Sequence, residues 1–176
     1  MEQSEEVEDV VTNFVSNMHY ITWKPRQLSK HLGDADYQGP REWLYSEVRA
    51  PLDVAQIVHD FAHFIAKHPL PWIPHVHRSG RVNREEVVAH GKLLHDYMDI
   101  IQLTPKQLAH HCRCSRHAVR EWWHGRSSTP DYLVTALYPW VQWIQSHPFP
   151  QYRKGPHGGA RYRHTNRATG CTRVLP

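Results

Sequence analysis

The sequence predicts an all-α fold: two tandem helical units of about 60 residues each, followed by a basic C-terminal tail. Three observations carry this expectation. The chain repeats itself, its apolar residues recur every three to four positions, and no stretch alternates apolar with polar residues as a half-buried strand would.

The repeat organises everything else. At an offset of 80, Met18, Ile21, Pro25, Gln27, Leu28 and His31 fall on Met98, Ile101, Pro105, Gln107, Leu108 and His111. After a slip of one residue the offset becomes 79, and Arg41-Glu42-Trp43 falls on Arg120-Glu121-Trp122. Pro51 then falls on Pro130, Phe61, Phe64 and Ile65 on Trp140, Trp143 and Ile144, and His68-Pro69-Leu70-Pro71 on His147-Pro148-Phe149-Pro150. Matches in this number and order define two copies of one unit, 1–71 and 87–150, joined by a turn-rich linker at 72–86.

In the first copy, helices run through Phe14, Met18, Leu28, Trp43, Ile57, Phe61 and Ile65. Pro40 stands where Val119 stands in the second copy, with Gly39 before it, so the third helix must start late or break. In the second copy, Val88, Leu94, Met98 and Ile101 predict a helix over 87–102. Thr104 followed by Pro105 reads as an N-cap with proline at the first helical position, opening a short helix to Cys112. Ser115 caps a further helix through Trp123, stopped at Gly125. Thr129 with Pro130 opens a long aromatic helix through Val134, Leu137, Trp140, Val141 and Ile144, stopped by Pro148. Residues 151–176, rich in Gly and Arg, are expected to be a flexible basic tail without its own core.

Composition bounds the function classes. The 176 residues are 40% apolar, with seven Trp, eight Tyr and four Phe, enough for a real core. No apolar run is long enough for a membrane span, so no membrane partner is expected. The acidic start, Met1-Glu2-Gln3-Ser4-Glu5-Glu6, does not read as a secretory signal. Three cysteines make no disulfide framework, and the expectation is a cytoplasmic, nucleoid-associated protein. Charge is polarised: residues 1–60 carry eleven acids and five Lys/Arg (−6), 61–150 carry ten Lys/Arg and six acids (+4), and 151–176 carry six Lys/Arg and no acid (+6). Such a gradient suits a polyanionic partner, and sixteen histidines add further hydrogen-bond donors.

The stretch Leu103–Pro130 resembles the helix-turn-helix of the Cro and lambda-repressor family. The residues that carry the resemblance are Leu103-Thr104, Leu108-Ala109, Ser115, Val119, Trp122, Gly125-Arg126 and Pro130. It covers 28 residues directly; the small residue usual in the turn is replaced by Arg113-Cys114. The resemblance implies two tandem units of helix-turn-helix type, one of them degenerate, and a regulator of transcription that binds double-stranded DNA. The helix 115–124 would enter the major groove. Val119 and Trp122 would face inward, leaving Arg116, His117 and Arg120 to contact bases. Lys106, Arg113, His124, Arg126 and Ser127 would hold the phosphate backbone. Arg153, Lys154, Arg161, Arg163 and Arg167 of the tail would add nucleic-acid contacts. The first copy, whose Asp34 and Asp36 bring the wrong sign to a phosphate, reads as a structural or partner-binding unit.

Other chemistry is less well supported by the residues. His110-His111-Cys112-Arg113-Cys114 with His117 contains zinc-ligand types, yet Cys-x-Cys is not the usual spacing, and buried thiols are the simpler reading. His59 and His63 share a helix face, and His59-Asp60 and His95-Asp96 are His-Asp pairs, but they do not correspond between the copies. No phosphate loop or nucleophile elbow is present, so neither catalysis, a metal, a cofactor nor a small-molecule substrate is expected. A second class stays open: a non-catalytic protein of the same fold, of the kind found as phage or mobile-element inhibitors and accessory factors, binding a protein or nucleoprotein complex. Trp123 and Tyr138, off the core stripe, would serve that role or a homodimer.

Overall fold

A computed structural model describes residues 9–33, 38–73, 83–154 and 160–163. Asp34, Asp36, Arg167 and most of the expected linker lie outside the described residues. The chain is all-α, as the periodicity predicts. In order, the helices are α1 (Phe14–Ile21), α2 (Pro25–Leu32), α3 (Gln38–Tyr45), α4 (Leu52–Lys67), α5 (Arg84–Ile101), α6 (Pro105–His111), α7 (Arg116–Trp123) and α8 (Asp131–Ser146). No helix among the described residues is long and apolar enough to cross a membrane.

One expectation is corrected at the C-terminus. Gln151–Lys154 (β1) pairs antiparallel with Ala160–Arg163 (β2), in the register Gln151↔Arg163, Tyr152↔Tyr162, Arg153↔Arg161 and Lys154↔Ala160. The tail therefore begins as a two-stranded ribbon rather than as a structureless arm. Its sequence hides this because each strand is only four residues long, too short for the alternation in Ala160-Arg161-Tyr162-Arg163 to stand out.

The helices sort into two compact units. Unit 1 comprises Met1–His63 with His147–Pro176, and unit 2 comprises Phe64–Ser146, so the division falls inside α4. Each unit thus holds the segment that follows the last helix of the other sequence repeat. Phe149 belongs to the core of unit 1, where its ring lies 5.8 Å from Trp23 and 4.8 Å from His31. Ile73, expected in the linker, belongs to unit 2, where it is buried and donates its N–H to the Cys112 carbonyl at 3.1 Å.

In unit 1, Phe14, Met18, Ile21, Leu28, Leu32, Val54, Val58 and Phe61 form the core. Trp23 lies among them, its ring 5.2 Å from Phe61. In unit 2, Leu94, Met98, Ile101, Leu108, Val119, Leu133, Leu137 and Trp140 are fully buried. α5 starts earlier than the apolar pattern suggests, because Asn83 caps it by accepting the Glu85 N–H at 3.1 Å, and Glu85 and Glu86 complement the helix dipole. At the other long helix, Thr129 does not provide the expected cap: its buried hydroxyl has no hydrogen-bond partner among the described residues. α8 also carries Pro139 in its interior, which removes one backbone hydrogen bond. Burial of Leu133, Leu137, Trp140, Val141 and Ile144 offsets that loss.

The repeat is visible in backbone detail. α1 ends at Thr22 with φ 68°, and α5 ends at Gln102 with φ 60°, two non-glycine residues in the left-handed region at equivalent positions. Gln27 and Gln107 each fold back onto their own N-cap, accepting the Lys24 and Thr104 N–H at 2.8 Å. α3 is continuous from Gln38 to Tyr45 among the described residues, so it does not break at Gly39-Pro40. Pro40 falls in its first turn, where proline is tolerated, and is buried with Trp43.

Candidate nucleic-acid interface

α6, the turn after it and α7 build the candidate surface in unit 2. The capping box sets the start of α6: Thr104 Oγ1 accepts the Gln107 N–H at 3.4 Å, and the Gln107 carboxamide returns to the Thr104 N–H. The turn closes through Arg113 N–H to His110 O at 3.2 Å and Cys114 N–H to Ala109 O at 3.0 Å. This needs a left-handed residue, and Arg113 supplies it with φ 50°. In the first copy, the equivalent position is Gly33, with φ 66°. Arg113 is therefore accommodated in this turn at a cost in backbone strain. Arg113→Gly is expected to stabilise unit 2 by about 1 kcal/mol, read as a rise in melting temperature.

Ser115 then caps α7, its Oγ accepting the Ala118 N–H at 3.1 Å. Along α7, Val119 and Trp122 are buried, and Arg116, His117 and Arg120 are exposed. The C-terminal end of α7 is set against α5 almost backbone to backbone. A Cβ on Gly91 would come within 2.7 Å of the Trp122 carbonyl and 3.0 Å of Gly125 Cα. Gly125, with φ 59°, turns the chain away, and the Arg126 N–H closes back on Glu121 O at 2.8 Å. These contacts fix the pitch of α7 and hence the direction in which its polar face points.

The remaining candidate residues divide. Lys106 on α6, Arg113 in the turn and His124 at the C-cap of α7 are exposed. Arg126 is also exposed but ion-paired with Glu121 at 3.4 Å, so a phosphate would compete with that carboxylate. Ser127 is half-buried. Arg153 and Lys154 lie on β1, and Arg161 and Arg163 on β2, both in unit 1. Sequence reasoning weighed His110 only as a zinc-type residue, yet it stands exposed one turn beyond Lys106 on α6; the i, i+4 spacing of two hydrogen-bond donors was the available signal.

The cysteines follow the buried-thiol reading. Burial, with Cys114 close by, pushes the Cys112 thiol up to about 12 from an ordinary 9.0, and burial also raises half-buried Cys114. The Cys112 proton is retained in the fold, so this group's contribution to stability fades as pH rises from 9.0 towards 12. At about pH 8, iodoacetamide should modify Cys114 slowly and leave Cys112 untouched in the native protein, and both should react once unfolded; peptide mass spectrometry reads the order. Among the described residues no group of three or more His, Cys, Asp and Glu is placed to hold a metal ion. His59 and His63 lie with ring centres 4.3 Å apart and planes tilted by 42°, and His59 Nδ1 lies 3.2 Å from the Asn17 side-chain nitrogen.

Two aromatic pairs flank α5. Tyr97 and Tyr138 have ring centres 6.2 Å apart, and Trp123 meets His95 edge-on at 4.7 Å. Tyr138 and His95 are exposed, and Trp123 is half-buried. Compared with known proteins, the chain matches no family model, no curated protein and no solved structure.

Proposed function

We propose that this protein binds double-stranded DNA through unit 2 and regulates transcription, with α7 in the major groove. The observation that carries the reading is the division of α7 itself. Val119 and Trp122 bury one face, and Arg116, His117 and Arg120 stand exposed on a short helix that follows a capped helix and a closed turn. An exposed arginine near the N-terminus of such a helix can pair bidentately with guanine, and His117 can donate to a base edge. Lys106, Arg113 and His124 surround that face with donors suited to phosphates. From Thr104 to Pro130 there are five Lys/Arg against one acid, Glu121, which is already paired with Arg126.

Selection from a random duplex library at about 150 mM salt, where nonspecific binding is weak, tests this directly. A recurring motif is the expected result, and its symmetry reports whether one or two copies bind. Absence of enrichment by folded protein would remove the base-reading role.

The second reading, a non-catalytic protein that binds another protein, draws on Tyr138 beside Tyr97 and on Trp123 beside His95, since aromatic side chains with one wet edge are common anchors of protein interfaces. Tyr138→Ala would abolish such a complex and leave DNA selection unchanged.

A further inference from the structure

Unit 1 was expected to be a degenerate copy with the wrong charge for DNA. Its α2 nevertheless repeats the build of α6 closely: proline at the first helical position, a glutamine returning to the N-cap, and a left-handed residue at the C-terminal end. On α6 the exposed positions one turn apart carry Lys106 and His110; on α2 the same positions carry Arg26 and Lys30, both exposed, with exposed Lys24 at the N-cap. No acidic residue occurs from Val10 through Gly33. Among the described residues, Lys24, Arg26 and Lys30 enter no ion pair.

The basic ribbon joins this helix within the same unit. β1 leaves from the C-terminal end of α2, where the Gln151 Nε2 donates to the His31 carbonyl at 3.4 Å and the His31 ring stacks on Phe149. Room for the Gln151 carboxamide comes from Gly33, since a Cβ there would lie 2.5 Å from Gln151 Oε1. Residues 147–176 carry six Lys/Arg and no acid. The acids of unit 1 instead sit at its start and from Asp34 onward, so charge is segregated along the chain even though unit 1 sums to zero (−6 for 1–60, none in 61–63, +6 for 147–176).

We infer that unit 1 is a second DNA contact, in which α2 grips the phosphate backbone through the exposed Lys24, Arg26 and Lys30. In a helix-turn-helix the first helix crosses the backbone and the second reads bases. Unit 1 keeps the cations of the first role and has altered the helix of the second, where Gly39 and Pro40 occupy the opening turn of α3. It contributes affinity and salt dependence, not sequence choice. This rests on duplex DNA being the partner, as proposed above, but not on α7 reading bases.

The test is the salt dependence of binding to a duplex of shuffled sequence, measured by fluorescence anisotropy with the full chain between about 50 and 200 mM salt. Removing a phosphate contact lowers the slope of log K against log salt by about 0.9, so Arg26→Ala/Lys30→Ala should flatten it by roughly 2 and leave the ranking of selected sequences unchanged. An unchanged slope in this variant, melting as the wild type does, overturns the inference, and a selected motif would then still support the role of α7. A flattened slope with no selected motif supports the inference and removes base reading. Failure of the wild-type chain to bind any duplex overturns both.

Discussion

Arg116→Ala/Arg120→Ala should erase sequence preference and leave the fold intact. Each bidentate arginine–guanine pair discriminates by about 1–3 kcal/mol, so losing both lowers affinity for the selected motif by roughly 30-fold to more than 10⁴-fold relative to wild type. Affinity for shuffled duplex should fall far less, because only phosphate neutralisation contributes there. The fold should survive because neither arginine is part of what holds α7. That helix is set by the Ser115 cap, by burial of Val119 and Trp122, and by the close approach of Gly91 to Trp122 and Gly125. Alanine is also at least as good a helix former as arginine. Titration of selected and shuffled duplexes by anisotropy, with a thermal melt of each variant, checks both halves. Equal losses on the two duplexes would assign the arginines to phosphates, and an unchanged affinity on both would take α7 out of the interface.

Arg113 and Arg126 make informative contrasts. Both lie near this face, but Arg113 carries backbone strain at φ 50° and Arg126 is held by Glu121. Arg113→Gly therefore separates stability from binding: the melting temperature should rise while the salt slope falls by about 0.9 if the side chain meets a phosphate.

Much of this geometry was legible in the sequence because it is local. The Thr104-Pro105 and Ser115 caps, the Val119–Trp122 spacing and the stop at Gly125 each depend on residues within one or two turns, and each appears in the structure. The offset between copies was also readable, and positive-φ residues recur at it, at Thr22 and Gln102 and at Gly33 and Arg113. What escaped was of longer range. Ile73 and Phe149 lie in short proline-rich stretches with no periodicity to mark them, and their burial is set by partners far away in sequence. The start of α5 was missed for a different reason. Asn83 followed three residues later by Glu86 is a cap signature, but it precedes the first apolar residue of the pattern, Val87. The charge sum of residues 1–60 was true and misleading. It averaged acids at the chain start and beyond Asp34 with a region around α2 that holds none.

Trp140→Ala should have the largest effect on stability. The side chain is fully buried in unit 2, its Nε1 donates to the His68 carbonyl at 2.8 Å, and its ring meets His111 edge-on at 5.3 Å. Truncating a buried tryptophan to alanine costs about 3–5 kcal/mol, and here it also strips the His68 carbonyl of its partner. Against a total of about 5–15 kcal/mol for a domain, that leaves unit 2 marginal or unfolded, with a fall in melting temperature on the order of 15–30 °C. Trp140→Phe keeps most of the apolar area and loses the hydrogen bond, so its cost should be nearer 1–3 kcal/mol. The functional consequences should differ in kind. His111 is the last residue of α6, so Trp140 props the helix that precedes the turn, and the alanine variant should lose DNA binding together with its fold. The phenylalanine variant should bind normally below its melting temperature. The first copy supplies the reason to expect tolerance: there the equivalent position is already a phenylalanine, Phe61, and the bulk is restored by Trp23, where the second copy has Leu103. Large and small residues have exchanged places between two versions of one core, as volume-conserving packing allows. Adding Leu103→Trp to Trp140→Phe should therefore recover part of the lost stability. A double variant less stable than Trp140→Phe alone would show that the two cores have diverged in shape as well as in sequence.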